Sequence, residues 1–278
     1  MHIDGHTEVI AHLGHPTHSF KAPMIYNPWF EAAGVNAVVV PMGCRPGAFP
    51  QVLRSLFTLD NIRGALITMP HKVSVVDLLD EVSAAVRVAG ACNAVKRDAG
   101  GRLVGDMFDG EGFVRGLRSK GLQLAGARCL VVGCGGVGSA IAASLAGAGA
   151  GQLVLFDVHA PSMEGLAERV RAHHPAVEVV TGRCDPAGMD LAVNATPLGM
   201  NPGDPLPMDV SRLEPGTLVG EVVMRDEMTA FLAAARARGC RVQVGTDMLF
   251  EMIPAYLEFF GLPTTDSQRL RSLARLKY

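Results

Sequence analysis

The chain has 278 residues, 49% hydrophobic and 19% charged, which is enough to bury one large core or two ordinary ones and too apolar to stay disordered. A formal charge of −2, a pI near 6.5 and no block of like charges exclude the electrostatic footprint of a nucleic-acid or anionic-membrane binder, so a small-molecule partner is expected. Six scattered cysteines without a C-x-x-C pair, and a start that lacks a cationic segment followed by an apolar one, point to reduced thiols in the cytoplasm.

Short apolar runs alternate with amphipathic stretches, the pattern of βα units around parallel sheets. In the first block, strands are predicted at Glu8–Leu13, Ala37–Pro41 and Ala65–Thr68, with helices at Lys21–Ala33, Ala48–Phe57 and Val73–Arg87. A hairpin follows, with Asn93–Arg97 and Arg102–Gly105 joined through Asp98-Ala99-Gly100-Gly101. The second block opens with a helix near Asp109, then strand Cys129–Val132, helix Val137–Ala148, strand Gln152–Phe156 and helix Pro161–His173. Later strands are predicted at Val177–Val180, Leu191–Asn194, Leu218–Val222 and Arg241–Val244, and helices at Met248–Phe260 and Ser267–Leu276. The uncharged run Cys129–Phe156 is long enough for a membrane span, but seven glycines interrupt it, and none is expected.

Those glycines carry chemistry. Gly133-Cys134-Gly135-Gly136-Val137-Gly138 sets G-x-G-x-x-G between a strand and a helix, where a tight turn, close backbone approach and the helix N-terminus together receive a dinucleotide pyrophosphate. Asp157 closes the next strand 19 residues after Gly138, where an acid binds the adenosine ribose hydroxyls. Val158, His159 and Ala160 offer no arginine for a 2′-phosphate, so NAD is expected over NADP. His2, His6, His12, His15 and His18 crowd the N-terminus, yet no carboxylate or cysteine spacing completes a metal site, and no metal is expected. Arg269, Arg271, Arg275 and Lys277 read as a solvated helix face, and no G-x-S-x-G nucleophile motif is present.

Several segments in order give the chain a resemblance to the shikimate dehydrogenases and their quinate-dehydrogenase and shikimate-dehydrogenase-like relatives. They are Gly14-His15-Pro16-Thr17-His18-Ser19, Thr68-Met69-Pro70-His71-Lys72, Gly90-Ala91-Cys92-Asn93-Ala94, Gly105-Asp106-Met107-Phe108-Asp109-Gly110, the glycine loop, Asn194-Ala195-Thr196-Pro197-Leu198-Gly199-Met200 and Gly245-Thr246-Asp247-Met248-Leu249. The resemblance implies a two-domain α/β enzyme: a substrate-binding domain over 1–108 completed by 246–278, and a Rossmann dinucleotide domain over 109–245, with the active site in the cleft. It also implies Lys72 and Asp109 as the catalytic pair, with Ser19, Thr68 and Asn93 as substrate-binding residues. Asn194, Thr196 and Gly245 join Gly133, Gly135, Gly136, Val137, Gly138 and Asp157 on the cofactor side.

The departures from the family are specific. Ser19-Phe20-Lys21 stands where the family has two serines around a leucine, which puts Lys21 at the second carboxylate-binding position. Leu66 replaces an asparagine, Met107-Phe108-Asp109 replaces Asn-Thr-Asp, and Met252 stands for a glutamine. Fewer polar groups are therefore expected around the substrate ring. The expected function is reversible hydride transfer between a nicotinamide cofactor and a cyclic hydroxy acid such as shikimate, quinate or a less hydroxylated analogue. The alternatives are NADP-dependent shikimate dehydrogenase proper and a dinucleotide-binding regulatory protein without turnover. Retention of both Lys72 and Asp109 argues against the last. A homo-oligomer is compatible with the sequence.

Overall fold

The computed structural model describes residues 3–276, so His2 and Lys277 lie outside the described residues. The chain forms two compact units. The first comprises the described residues up to Val86, Ala91–Phe108 and those from Met252 onward; the second comprises Arg87–Gly90 and Asp109–Glu251. The division falls inside the helix that starts at Gly245, six residues beyond the point expected from the sequence.

The first unit is built on a six-stranded sheet of order β2-β1-β3-β5-β6-β4. β1 (Glu8–Gly14) lies between β2 (Ala37–Gly43) and β3 (Ile62–Ile67), parallel to both. Its near-continuous apolar run, with Ile10, Ala11 and Leu13 fully buried, is what a parallel strand covered on both faces requires. Helices α1 (Pro23–Ala33) and α2 (Phe49–Leu56) follow β1 and β2. The hairpin forms as β5 (Ala94–Arg97) and β6 (Leu103–Asp106), paired antiparallel. Asp98 Oδ1 accepts the N–H groups of Gly100 and Arg102, each at 2.9 Å, and Gly101 takes the left-handed backbone the turn needs (φ +84°).

One predicted element is absent. The helix expected over Val73–Arg87 is instead a 3₁₀ turn (Val76–Leu78), the short strand β4 (Glu81–Val82) and the helix α3 (Ala84–Ala89). Tertiary pairing overrides the local pattern: Asp80 N–H donates to Leu103 O at 2.9 Å, and the Asp80 carboxylate accepts Leu103 N–H at 2.7 Å. Ser83 Oγ then accepts Val86 N–H at 3.2 Å and starts α3.

The second unit opens with α4 (Asp109–Ser119) and holds an all-parallel sheet, β12-β11-β10-β7-β8-β9. The chain runs outward from β7 (Arg128–Val132) through β8 (Gln152–Phe156) to β9 (Glu178–Thr181). It then returns to lay β10 (Leu191–Asn194), β11 (Leu218–Glu221) and β12 (Arg241–Gln243) on the other side of β7. The strand order therefore reverses between β7 and β10, the point where open parallel sheets bind ligands at their carboxyl ends. α5 (Gly136–Gly147) and α6 (Ala160–His173) connect the first three strands. The uncharged run is thus β7, α5 and β8, apolar because it is core, and among the described residues no helix is long and apolar enough to cross a membrane. Helix α7 (Ala230–Ala237), not predicted from the sequence, is capped by Thr229 Oγ1, which accepts Leu232 N–H at 3.3 Å. The chain ends in α8 (Gly245–Phe259) and α9 (Ser267–Leu273).

Candidate active site

In the second unit, each glycine of the loop has its own physical reason. Gly133 has φ +101°, and a Cβ there would lie 2.7 Å from the Ala195 carbonyl carbon. At Gly138 a Cβ would lie 1.8 Å from Gly133 O, so the helix can approach the strand only with glycine. Around Gly135, the N-cap of α5, a Cβ would meet nothing within 4 Å, and no side chain caps the helix. Gly136 and Val137 form its first turn. The loop thus leaves an open, uncapped helix N-terminus, a fit for a pyrophosphate group. Gly245 is buried at the start of α8, where a Cβ would lie 2.2 Å from Val223 O.

Asp157, half-buried at the end of β8, accepts Cys134 N–H at 2.6 Å through Oδ2 and His159 N–H at 2.8 Å through Oδ1. Each carboxylate oxygen has a second lone pair, so these bonds fix the group without exhausting its capacity for ribose hydroxyls. Beside it, Val158 is 94% exposed. At the end of β10, Asn194 is fully buried. Its Oδ1 accepts from Thr196 N–H (3.1 Å) and Thr196 Oγ1 (2.6 Å), and its amide donates to Leu198 O at 3.0 Å. Asn194 and Thr196 therefore shape the loop facing the glycine turn across the β7–β10 reversal.

The sequence reading overlooked Glu221, although a carboxylate ending the apolar strand Leu218-Val219-Gly220 was a visible signal. It is the register partner of Asn194, 1% exposed, and neither carboxyl oxygen meets a donor in hydrogen-bond geometry. Burial pushes its carboxyl up to about 7, only partly offset by the nearby Thr229 and Asn194 side chains. Below about pH 4.5 both folded and unfolded chains hold the proton and nothing is lost. As pH rises toward 7 the unfolded chain releases its proton first, so stability falls. Glu221→Gln should therefore stabilise the protein by roughly 2–3 kcal/mol more at pH 8.5 than at pH 5. Chemical denaturation at the two pH values checks this, and a gain independent of pH would contradict it.

In the first unit, the loops after β1 and β3 meet. His15 N–H donates to Met69 O at 2.9 Å, and Thr68 N–H donates to Leu13 O at 2.9 Å. A Cβ on Gly14 would collide with Thr68, Met69 and Phe20, all within 2.8 Å. Lys72 is anchored through its neighbours: the His71 ring, 1% exposed, stacks on Phe49 at 3.9 Å and bonds Cys44 O through Nε2 at 2.7 Å. Cys92 N–H donates to the carbonyl of Lys72 at 2.7 Å. The Asn93 carbonyl accepts Ile67 N–H at 2.8 Å, and Asn93 Oδ1 accepts Phe108 N–H at 3.0 Å, so this fully buried residue ties β3 to the segment leading to Asp109. Asp109, the first residue of α4, is 1% exposed.

Thr68, Lys72 and Asn93 thus come together at one end of the first sheet. Ser19 is exposed on the β1–α1 loop, and Lys21 is half-buried just before α1, its carbonyl accepting Met24 N–H at 3.0 Å. Leu66, Met107 and Met252 are all buried, and Phe108 packs edge-on against Tyr256 at 4.8 Å. Among the described residues, no group of three or more His, Cys, Asp or Glu could hold a metal ion.

Residues 13–95 match the shikimate dehydrogenase substrate binding domain, and residues 114–167 match the ThiF family. The chain is 38% identical over 251 residues to a shikimate dehydrogenase (NADP(+)) of Rubrobacter xylanophilus, covering 89% of this chain and 88% of that one. Among solved structures, quinate dehydrogenase of Corynebacterium glutamicum in complex with NAD is 32% identical with a TM-score of 0.82, covering 96% of this chain and 98% of that one. Shikimate 5-dehydrogenase of Listeria monocytogenes in complex with shikimate and NAD shares the fold at a TM-score of 0.88 and 24% identity, covering 98% of each chain. Two α/β units, a dinucleotide-type glycine loop and near full-length identity to such enzymes converge: the chain belongs to the shikimate dehydrogenase family, oxidoreductases that act on a CH–OH group with a nicotinamide dinucleotide.

Proposed function

We propose that this enzyme transfers hydride reversibly between NAD and a cyclic hydroxy acid of the shikimate or quinate kind, including less hydroxylated analogues. The observation that carries the reading is the meeting of Thr68, Lys72 and Asn93 at one sheet end, where the Lys72 carbonyl accepts Cys92 N–H and the adjoining His71 ring is stacked and hydrogen-bonded. The dinucleotide, when bound, accepts or donates the hydride at the substrate carbon. Lys72 takes the hydroxyl proton during oxidation as its neutral amine, and during reduction its ammonium form gives a proton to the carbonyl oxygen. Asp109 shares the same hydroxyl and orients it. Gly133, Gly135, Gly136, Val137 and Gly138 would hold the pyrophosphate, Asp157 the adenosine ribose, and Asn194, Thr196 and Gly245 the flanking loops. Leu66, Met107 and Met252, all apolar and buried, would face the ring in this reading, which suits a substrate with fewer or differently arranged hydroxyls.

Ser19 and Lys21 hold the substrate carboxylate in this reading, the ammonium replacing a neutral hydroxyl with a point charge. Lys21→Met should raise KM for carboxylate substrates roughly tenfold and leave the dinucleotide Kd unchanged. An unchanged KM in the folded variant would leave Ser19 as the sole carboxylate contact. The reading as a whole is tested by steady-state kinetics on a panel of cyclic hydroxy acids with each dinucleotide. The naming of the Rubrobacter relative for NADP(+) favours a second reading, NADP-dependent shikimate dehydrogenase proper, and the same assay separates the two.

A further inference from the structure

We propose that His12 is a specificity-determining residue that hydrogen-bonds a ring hydroxyl of the bound substrate. This deepens the cyclic hydroxy acid reading and rests on it. His12 lies two residues before the end of β1, only 8% exposed, and its Nδ1 has no hydrogen-bond partner. Its register partners on the neighbouring strands are Pro41 and Leu66, whose side chains carry no polar atom. One face of the imidazole is covered by Phe20, stacked at 4.1 Å with 27° between the planes. Phe20 also closes on Gly14, beside Thr68. The protein thus buries a polar ring, orients it by stacking, and gives its nitrogen nothing to bond, an arrangement that is costly unless a ligand completes it.

The electrostatics agree with that geometry. Burial first, and then the positive charge of Lys72, press the imidazole down to about 3, so it is neutral at any working pH and lies within reach of the Lys72 field. A neutral imidazole carries one donor and one acceptor, whichever the tautomer. A hydroxyl can meet either, whereas a carboxylate can meet only the donor. The partner is therefore a hydroxyl on the same ring whose reacting oxygen Lys72 serves. His12 thereby restores one polar contact in surroundings where Leu66 supplies none.

The test uses His12→Phe, which keeps a ring to stack on Phe20, and His12→Gln, which keeps a polar group. Each is assayed on shikimate, quinate and analogues lacking one ring hydroxyl. His12→Phe should raise KM roughly 10- to 100-fold for acids carrying the bonded hydroxyl and leave KM alone for the analogue without it. His12→Gln should recover part of the loss, with the dinucleotide Kd unchanged in both. Equal KM changes across all analogues, or none, overturn the role of His12 while leaving the enzyme reading intact. If the unmodified protein neither binds nor turns over any cyclic acid, both readings fall together. Should His12→Phe fail to fold, ring ¹⁵N shifts of His12 in the unmodified protein decide: movement with shikimate but not with the deoxy analogue supports the contact, and no movement overturns it.

Discussion

Replacing Lys72 with Ala should lower kcat by roughly 100-fold or more on the best substrate while the dinucleotide Kd stays within twofold. The alcohol cannot release hydride at a useful rate unless its proton leaves, and the reverse reaction stalls unless the carbonyl oxygen receives one. The backbone around Lys72 is held by bonds that do not involve its side chain. His71 is fixed by its stack on Phe49 and its bond to Cys44 O, and the Lys72 carbonyl is held by Cys92 N–H. Lys72→Ala should therefore fold, and Lys72→Met, which keeps the length of the stem, should lose as much activity as Ala. Asp109→Asn, an isosteric change at a residue 1% exposed, should also lower kcat. Because dinucleotide binding is measured separately, a kcat within threefold of the unmodified enzyme in Lys72→Met would remove the lysine from the proton path.

The second large effect concerns the dinucleotide. The enzyme should show kcat/KM at least tenfold higher with NAD than with NADP, because a 2′-phosphate would meet the Asp157 carboxylate with no arginine among the next three residues to receive it. Asp157 has two duties, however: its Oδ2 also accepts Cys134 N–H at 2.6 Å and so fixes the glycine loop. Asp157→Ala should weaken both dinucleotides while narrowing their difference. Asp157→Asn, which keeps an acceptor for Cys134, should narrow it with less loss of affinity. Adding Val158→Arg to Asp157→Asn should invert the preference, since position 158 is 94% exposed and has room for a guanidinium to meet the phosphate. A higher kcat/KM with NADP in the unmodified enzyme would refute this assignment of Asp157.

The elements most legible from sequence were those whose signal is local. The strand, glycine loop, helix and acid from Arg128 to Asp157 could be read directly, because the strand, the turn and the helix follow one another within a single βα unit and Gly138 is held to glycine by Gly133 O in the same unit. The hairpin turn at Asp98 was equally plain, since its side chain bonds backbone two and four residues on. The segment Val73–Arg87 was misread because the bonds that break it come from Leu103 on another strand. The family resemblance implies Lys72 and Asp109 as a pair, but spacing along the chain says nothing of how His71, beside Lys72, is pinned by Phe49 and Cys44.

By itself, then, the sequence determined the α/β class and the glycine loop with its acid. These depend on hydrophobic period, on glycine's freedom and on residue types at fixed local offsets. Only the tertiary structure decided which polar groups are buried without partners. His12 was one histidine among several in a crowded N-terminal run, and Glu221 an ordinary acid at a strand end. Whether such a group meets water, a donor or an apolar wall depends on residues far away in the chain: Phe20, Pro41 and Leu66 around the imidazole, Asn194 and Thr229 beside the carboxyl. Desolvation is a property of that assembled surrounding, and it sets both the neutral state of His12 and the near-neutral titration of Glu221.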